Sequence, residues 1–60
     1  MKLTQREIEI MEFVSKGFTN LQIANRLGIA EQTVKNHLQS VYPKLKATNR
    51  VTAIIAYSQI

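Results

Sequence analysis

The stretch from Glu31 to Tyr42 constrains the fold most, because its apolar and polar side chains separate when it is wound as a helix. Its apolar residues recur at helical spacing and form one stripe: Val34, Leu38, Val41 and Tyr42. The other side has no acid after Glu31 and carries one cation and three amides: Gln32, Lys35, Asn36 and Gln39. Such side chains suit the edges of guanine and adenine in a major groove. The pattern predicts a DNA recognition helix that other helices support.

A shorter helix precedes this stretch. Thr19-x-x-Gln22 is a capping box, and Gly28 predicts the end of the helix, about three residues before the next one begins. The short glycine-containing turn, with the small residue Ala24 four positions before Gly28, is typical of a helix-turn-helix. The N-terminus at Thr19 and Asn20 indicates a phosphate contact. The alternative is that these two residues only cap the helix.

Two further helices complete the prediction, which is an all-α, four-helix helix-turn-helix domain that occupies residues 1–60 as a single unit. Thr4-x-x-Glu7 is a second capping box, and Gly17 predicts the end of the first helix. Pro43 lacks a backbone donor and predicts a stop or kink near residues 41–43. The predicted helices span about residues 4–16, 20–27, 31–43 and 49–59.

The fourth helix is apolar almost all round. Its apolar residues are Val51, Ala53, Ile54, Ile55, Ala56, Tyr57 and Ile60. A small core covers only one side of such a helix, so the surplus at Val51 and Ile55 predicts a second contact surface. We interpret this surface, with Ser58, as the contact to a second copy around a twofold axis. The alternatives are a surplus of alanine and isoleucine in a terminal helix, or packing on an upstream domain.

The charge distribution favours a polyanionic partner, with nucleic acid as the first choice. The chain carries a net charge of +4. Residues 31–60 contain four basic residues and one acidic residue, whereas residues 1–30 contain four basic residues and three acidic residues. Lys44 and Lys46 belong to this basic half and are candidate DNA-backbone contacts. With no cysteine and a single histidine, His37, neither a metal site nor a cofactor is expected.

Membrane and catalytic functions are not expected. No apolar run approaches the roughly 18 residues that a membrane span needs, and no signal-peptide hydrophobic region follows Met1, so a cytoplasmic location is the expectation. The sequence contains no phosphate-binding loop, paired carboxylates or nucleophile–base set, which makes an enzyme the least favoured class. His37 lies between the two faces of the third helix. It is either a packed boundary residue or a phosphate donor, and its neighbours favour the second.

Five motifs follow one another along the chain: Leu3-Thr4-x-Arg6-Glu7-x-Glu9, Gly17-x-Thr19-Asn20-x-x-Ile23-Ala24-x-x-Leu27, Thr33-Val34-Lys35-x-His37, Lys44-Leu45 and Asn49-Arg50-x-x-Ala53. In this order and spacing they resemble the LuxR/FixJ-type (GerE-like) helix-turn-helix domain of bacterial response regulators and quorum-sensing regulators. The resemblance covers nearly the whole chain. It implies a sequence-specific, DNA-binding transcriptional regulator that places its third helix in the major groove.

The resemblance also assigns roles to individual residues. It implies base contacts from Lys35, Asn36 and Gln39. The implied DNA-backbone contacts, taken together with those expected from charge and position, are Thr19, Asn20, Gln32, Thr33, His37, Lys44 and Lys46. It implies a homodimer through the fourth helix and an ion pair between Glu7 and Arg50. Further implied partners are double-stranded DNA, RNA polymerase, and an N-terminal receiver or sensor domain.

Three departures from the family pattern and two rival functions accompany this interpretation. Ala30 stands where a serine or threonine cap is usual, Lys46 where glycine is usual, and Pro43 is atypical. One rival is the sigma-factor region that reads the −35 promoter element, which lacks the matches at His37 and Asn49-Arg50. The other is a helical protein–protein adaptor that has lost DNA binding, against which the basic face of the third helix argues.

Overall fold

The computed structural model describes residues 2–59 and contains four α-helices in this part of the chain. They are α1 (Gln5–Ser15), α2 (Asn20–Leu27), α3 (Glu31–Lys44) and α4 (Arg50–Ser58). The predicted all-α, four-helix fold is therefore confirmed, with every helix end within one residue of its predicted position. α1 packs against the other three helices, and α3 lies against both α1 and α2. Met1 and Ile60, which the single-domain prediction includes, lie outside the described residues.

Local side-chain bonds explain where the helices begin. Three complete capping boxes occur in the described chain, formed by the pairs Thr4 and Glu7, Thr19 and Gln22, and Asn49 and Thr52. Each box satisfies two backbone amides that the first helical turn leaves without partners. Ala30 is the N-cap residue before α3 and provides no side-chain hydrogen bond, as the sequence predicts. Gly17 and Gly28 follow α1 and α2 with φ angles of +90° and +68°.

The core is built from one apolar stripe on each helix. Its buried members are Ile10, Met11 and Val14 of α1, Ile23 and Ala24 of α2, Val34, Leu38 and Val41 of α3, and Ala53 of α4. The apolar stripe predicted for α3 is confirmed, with Tyr42 half-buried at its end. Because this stripe faces α1 and α2, it orients the opposite face of α3 away from the core.

Leu21 is an apolar residue of α2 that the core does not cover, and it is 54% exposed. Leu21 and Ile23 lie about 160° apart around the helix axis, since successive residues are about 100° apart. A helix that buries Ile23 and Ala24 against its neighbours therefore turns Leu21 towards water.

Pro43 lies in the last turn of α3, which ends at Lys44, one residue beyond the stop or kink predicted near residues 41–43. The backbone amides of Leu45 and Ala47 donate to the carbonyls of Val41 and Tyr42 at 3.0 Å and 2.8 Å, so the last turn keeps its hydrogen bonds. The proline removes only the bond to the carbonyl of Gln39. Gln39 is exposed, so water can bind that carbonyl in place of the missing amide. A proline this close to a helix end is consequently tolerated.

Lys46 adopts a left-handed backbone conformation with φ of +56° in the link between α3 and α4. This conformation is strained for a residue with a side chain, so Lys46→Gly is expected to raise the free energy of unfolding by about 1 kcal/mol. Thermal denaturation of the variant measures the effect. Lys16→Gly is the matched control, because Lys16 caps α1 at φ of −88° and glycine there is expected to lower stability. Equal effects at the two positions would contradict the assignment of strain to Lys46.

Candidate nucleic-acid interface

One exposed face of α3 carries the three predicted base contacts together with Gln32, a predicted DNA-backbone contact. Gln32, Lys35, Asn36 and Gln39 are all exposed, and their spacing of three, four and seven residues places them on the same side of the helix. Gln32 and Gln39 are seven residues apart, so this face extends about 10 Å along the helix. Its donors and acceptors point away from the core, which is the arrangement that a groove-reading helix requires.

The side-chain amides of two residues on this face form a hydrogen bond with each other. Gln32 Nε2 donates to Asn36 Oδ1 at 3.1 Å, across one turn of α3. The bond occupies one lone pair of the Asn36 carbonyl oxygen and leaves the Asn36 amide nitrogen free to donate elsewhere. Neither the helical pattern nor the resemblance predicted this pairing, although a spacing of four residues permits it.

The N-terminus of α2 is only partly available to a ligand. The backbone amide of Thr19 donates to Gln22 Oε1 at 2.9 Å, and that of Gln22 donates to Thr19 Oγ1 at 3.1 Å. The predicted capping box of Thr19 and Gln22 is thus confirmed, and the backbone amide of Thr19 already has a partner. The Thr19 side chain is exposed and Asn20 is half-buried. A phosphate contact here would use the Thr19 hydroxyl, the Asn20 side-chain amide or the remaining amides of the first turn.

Arg50 anchors the start of α4 to the start of α2. Its guanidinium donates to Asn20 Oδ1 at 2.8 Å and to the carbonyl of Phe18. Because Asn20 Oδ1 accepts this bond, the orientation of its amide is set and its NH2 group is free to face outward. Arg50 therefore supports a predicted phosphate contact.

The ion pair that the resemblance implied between Glu7 and Arg50 is not formed. Glu7 instead accepts a bond from Lys44 Nζ at 2.8 Å. Glu7 lies in the first turn of α1, whereas Arg50 contacts Phe18, which follows the other end of that helix. Eight helical residues separate those ends by about 12 Å, so one guanidinium cannot serve both.

Glu7 is 3% exposed, and two donors hold its carboxyl ionised. Burial alone would raise the pKa of this carboxyl, but the bond from Lys44, together with the 2.7 Å bond from the backbone amide of Thr4, outweighs it. The pKa of Glu7 consequently lies below its usual value. The pair fastens the last turn of α3 to the first turn of α1.

The predicted DNA-backbone cations differ in their surroundings. Lys44 has a side chain that is 24% exposed and is already bonded to Glu7. Lys46 is exposed in the link after α3, and His37 and Thr33 are half-buried beside the exposed face of that helix. Since an ammonium has three donors, Lys44 retains capacity for a phosphate oxygen while it holds Glu7. The roles of these residues at DNA stay predictions.

α4 carries the exposed apolar surface that its composition predicts. Val51 and Ile55 are 66% and 52% exposed, and they lie one turn apart on the same side of the helix. Ser58 is exposed as well, and its hydroxyl donates to the carbonyl of Ile55 at 2.7 Å. The use of these residues in a dimer stays a prediction. Within residues 2–59, no helix has the length and apolar character needed to cross a membrane.

Comparison with known proteins points to gene regulation. The family described as "Bacterial regulatory proteins, luxR family" matches residues 1–57. The probable transcriptional regulatory protein SgaR of Hyphomicrobium methylovorum is 47% identical over 58 residues, which are 97% of this chain and 28% of that protein. The chain likewise spans only 6% and 26% of two further curated relatives that it matches.

Two crystal structures show the same fold. One is the response regulator ChrA of a heme-sensing two-component system, which is 46% identical with a TM-score of 0.93 over 98% of this chain and 29% of that one. The other comes from the anti-activator RapF complexed with the response regulator ComA DNA binding domain. There the identity is 36% and the TM-score 0.88, over 92% of this chain and 95% of that chain.

Proposed function

This chain belongs to the luxR family of bacterial regulatory proteins, and we propose that it acts as the sequence-specific DNA-binding unit of a transcriptional regulator. The exposed face of α3 is the observation that carries the proposal. The opposite side of α3 packs in the core, and this face presents four side chains to solvent: Gln32, Lys35, Asn36 and Gln39. A major groove about 12 Å wide accepts one α-helix, so this face can reach base edges directly.

Lys35, Asn36 and Gln39 are the proposed base contacts. A lysine suits the O6 and N7 acceptors of guanine, and amide side chains suit the N6 and N7 atoms of adenine. The proposed backbone contacts surround this face: Thr19, Asn20, Gln32, Thr33, His37, Lys44 and Lys46. Backbone contacts position the domain on the duplex and carry no base information themselves. The set includes two lysines beyond Lys35, which supports a salt-dependent affinity.

The domain is proposed to bind DNA as a homodimer through α4. Val51 and Ile55 expose apolar surface that packing on α1 leaves uncovered, and Ser58 lies one turn further along α4. A twofold axis through this surface would place the two copies of α3 in successive major grooves, about 34 Å apart. The longer relatives include a response regulator, which supports control of this unit by a separate signal-receiving region.

Selection from a random pool of duplex DNA, at two salt concentrations, tests the proposed function. An inverted repeat with half-sites about 10 base pairs apart is expected, because a symmetric dimer reads a symmetric site. An enriched single half-site would overturn the dimer and favour the sigma-factor-like monomeric reader. Salt-sensitive binding without any enriched sequence would overturn the assignment of base contacts to α3.

Lys35→Ala is expected to weaken binding to the selected site about tenfold and to relax the preference at one base-pair position. Lys46→Ala is the matched comparison, since it removes the same charge from a proposed backbone contact. It is expected to weaken all sequences alike and to reduce the slope of affinity against salt by about one unit. Affinities for the selected site and for all its single-base variants separate the two patterns. Indistinguishable patterns would contradict the division into base and backbone contacts.

A further inference from the structure

We propose that Gln32 determines base specificity by setting the direction in which the Asn36 amide faces the DNA. The inference rests on the proposed function, in which α3 reads the major groove and Asn36 contacts a base. It changes the role of Gln32 from a contact that only positions the domain to one that acts through its neighbour.

The geometry begins with the bond between the two side chains. Gln32 Nε2 donates to Asn36 Oδ1 at 3.1 Å, and both residues are exposed on the same face of α3. Gln32 is one turn closer to the start of the helix, so it draws the carbonyl oxygen of Asn36 towards that end. The Asn36 nitrogen is thereby turned away from Gln32, where it can donate to a base.

This orientation selects among bases because an asparagine amide has two chemically different ends. When it rotates freely, the nitrogen can meet an acceptor or the oxygen can meet a donor with similar ease. With its oxygen held by Gln32, Asn36 presents the nitrogen first and requires an acceptor, such as the N7 atom of a purine. Cytosine offers an amino donor at the corresponding edge and is therefore disfavoured.

The same bond is weak while the helix faces water, because water competes for both amides. On binding DNA the face of α3 is covered, and a hydrogen bond in the drier interface is stronger than in water. Gln32 then contributes little to the stability of the free domain and much to the discrimination in the complex. These two properties can be measured separately.

The test uses the selected DNA site and its single-base variants, and compares the unaltered domain with three variants and one control. Gln32→Ala leaves Asn36 free to rotate and is expected to lower discrimination at the position read by Asn36 about fivefold, while the preferences at other positions persist. Gln32→Glu has only acceptors, so it bonds to the Asn36 nitrogen and turns the oxygen outward. This variant is expected to move the preference at that one position towards cytosine. Asn36→Ala identifies the position itself.

Gln5→Ala is the matched control, because Gln5 is an exposed glutamine in the first turn of α1. It is expected to leave all preferences unchanged, and thermal denaturation checks that each variant remains folded. If Gln32→Ala weakens every DNA sequence equally, the inference is overturned and Gln32 is a backbone contact. If the unaltered domain enriches no sequence at all, the proposed function itself fails, which is a different result. A Gln32→Glu variant with the unaltered preference also overturns the inference.

Discussion

Ile23→Ala is expected to lower the free energy of unfolding by about 2–5 kcal/mol and to abolish DNA binding at temperatures where the unaltered domain binds. Ile23 is fully buried in the core that α2 shares with α1 and α3. The substitution removes buried methyl groups and leaves a cavity in the core on which α3 packs. A domain of 60 residues has a total stability of roughly 3–9 kcal/mol, so the loss takes most of it.

Leu21→Ala on the same helix provides the control. It removes an aliphatic side chain of equal size from a position that is 54% exposed, and the stability change is expected to stay within about 0.5 kcal/mol. Urea denaturation followed by circular dichroism gives the two free energies, and DNA affinity is measured on the same preparations. A larger loss for Leu21→Ala than for Ile23→Ala would mean that α2 packs through a different face.

Glu7→Ala is expected to cost about 2–3 kcal/mol of stability. Removing one partner of a buried ion pair costs about 3–5 kcal/mol, and the 24% exposure of the Lys44 side chain reduces this value because its ammonium can turn towards water. The variant also loses half of a capping box, since Thr4 donates its backbone amide to Glu7. Glu7→Gln keeps an acceptor for Thr4 and loses only the charge, so it is expected to cost about 1–2 kcal/mol.

The same carboxylate predicts the pH dependence of stability. Because the folded-state pKa of Glu7 lies below the unfolded value of 4.5, the unfolded chain binds the proton more readily at low pH. The contribution of Glu7 is therefore complete above pH 4.5 and is lost as the pH falls through the lower folded-state pKa. Denaturation curves between pH 7 and pH 2 should show this loss in the unaltered domain and a smaller one in Glu7→Gln. Glu9→Gln is the control, since Glu9 faces Arg6 at the surface at 3.5 Å.

The pair of Glu7 and Lys44 also connects stability to function. Lys44 ends α3, and its bond to Glu7 sets the position of that end against α1. Lys44 is at the same time a proposed phosphate contact. A Lys44 substitution would change both effects at once, whereas Glu7 variants keep the Lys44 ammonium and alter only its partner. When DNA binding is measured at equal concentrations of folded protein, Glu7→Gln should therefore change the free energy of DNA binding by less than it changes the free energy of unfolding.

The sequence by itself determined where the helices lie and which face of α3 is exposed. Capping boxes such as that of Thr19 and Gln22 join atoms within one helical turn. A few consecutive residues are therefore enough to predict where a helix begins. The alternation of apolar and polar residues in α3 is local as well, and Val34 and Leu38 are buried as it predicts. The fold and the reading face of the candidate interface could both be predicted for this reason.

Only the tertiary structure decided which distant side chains meet. Lys44 reaches Glu7 across 37 residues, and Arg50 reaches Asn20 across 30, so neither pairing leaves a periodic trace in the sequence. Leu21 is likewise exposed because α2 packs on α1 and α3 through a different face of the helix. Hydrogen bonds of this kind depend on the angles and offsets between helices, which the packing of the whole core sets. Local sequence specifies each helix, and the assembly of helices specifies the partners.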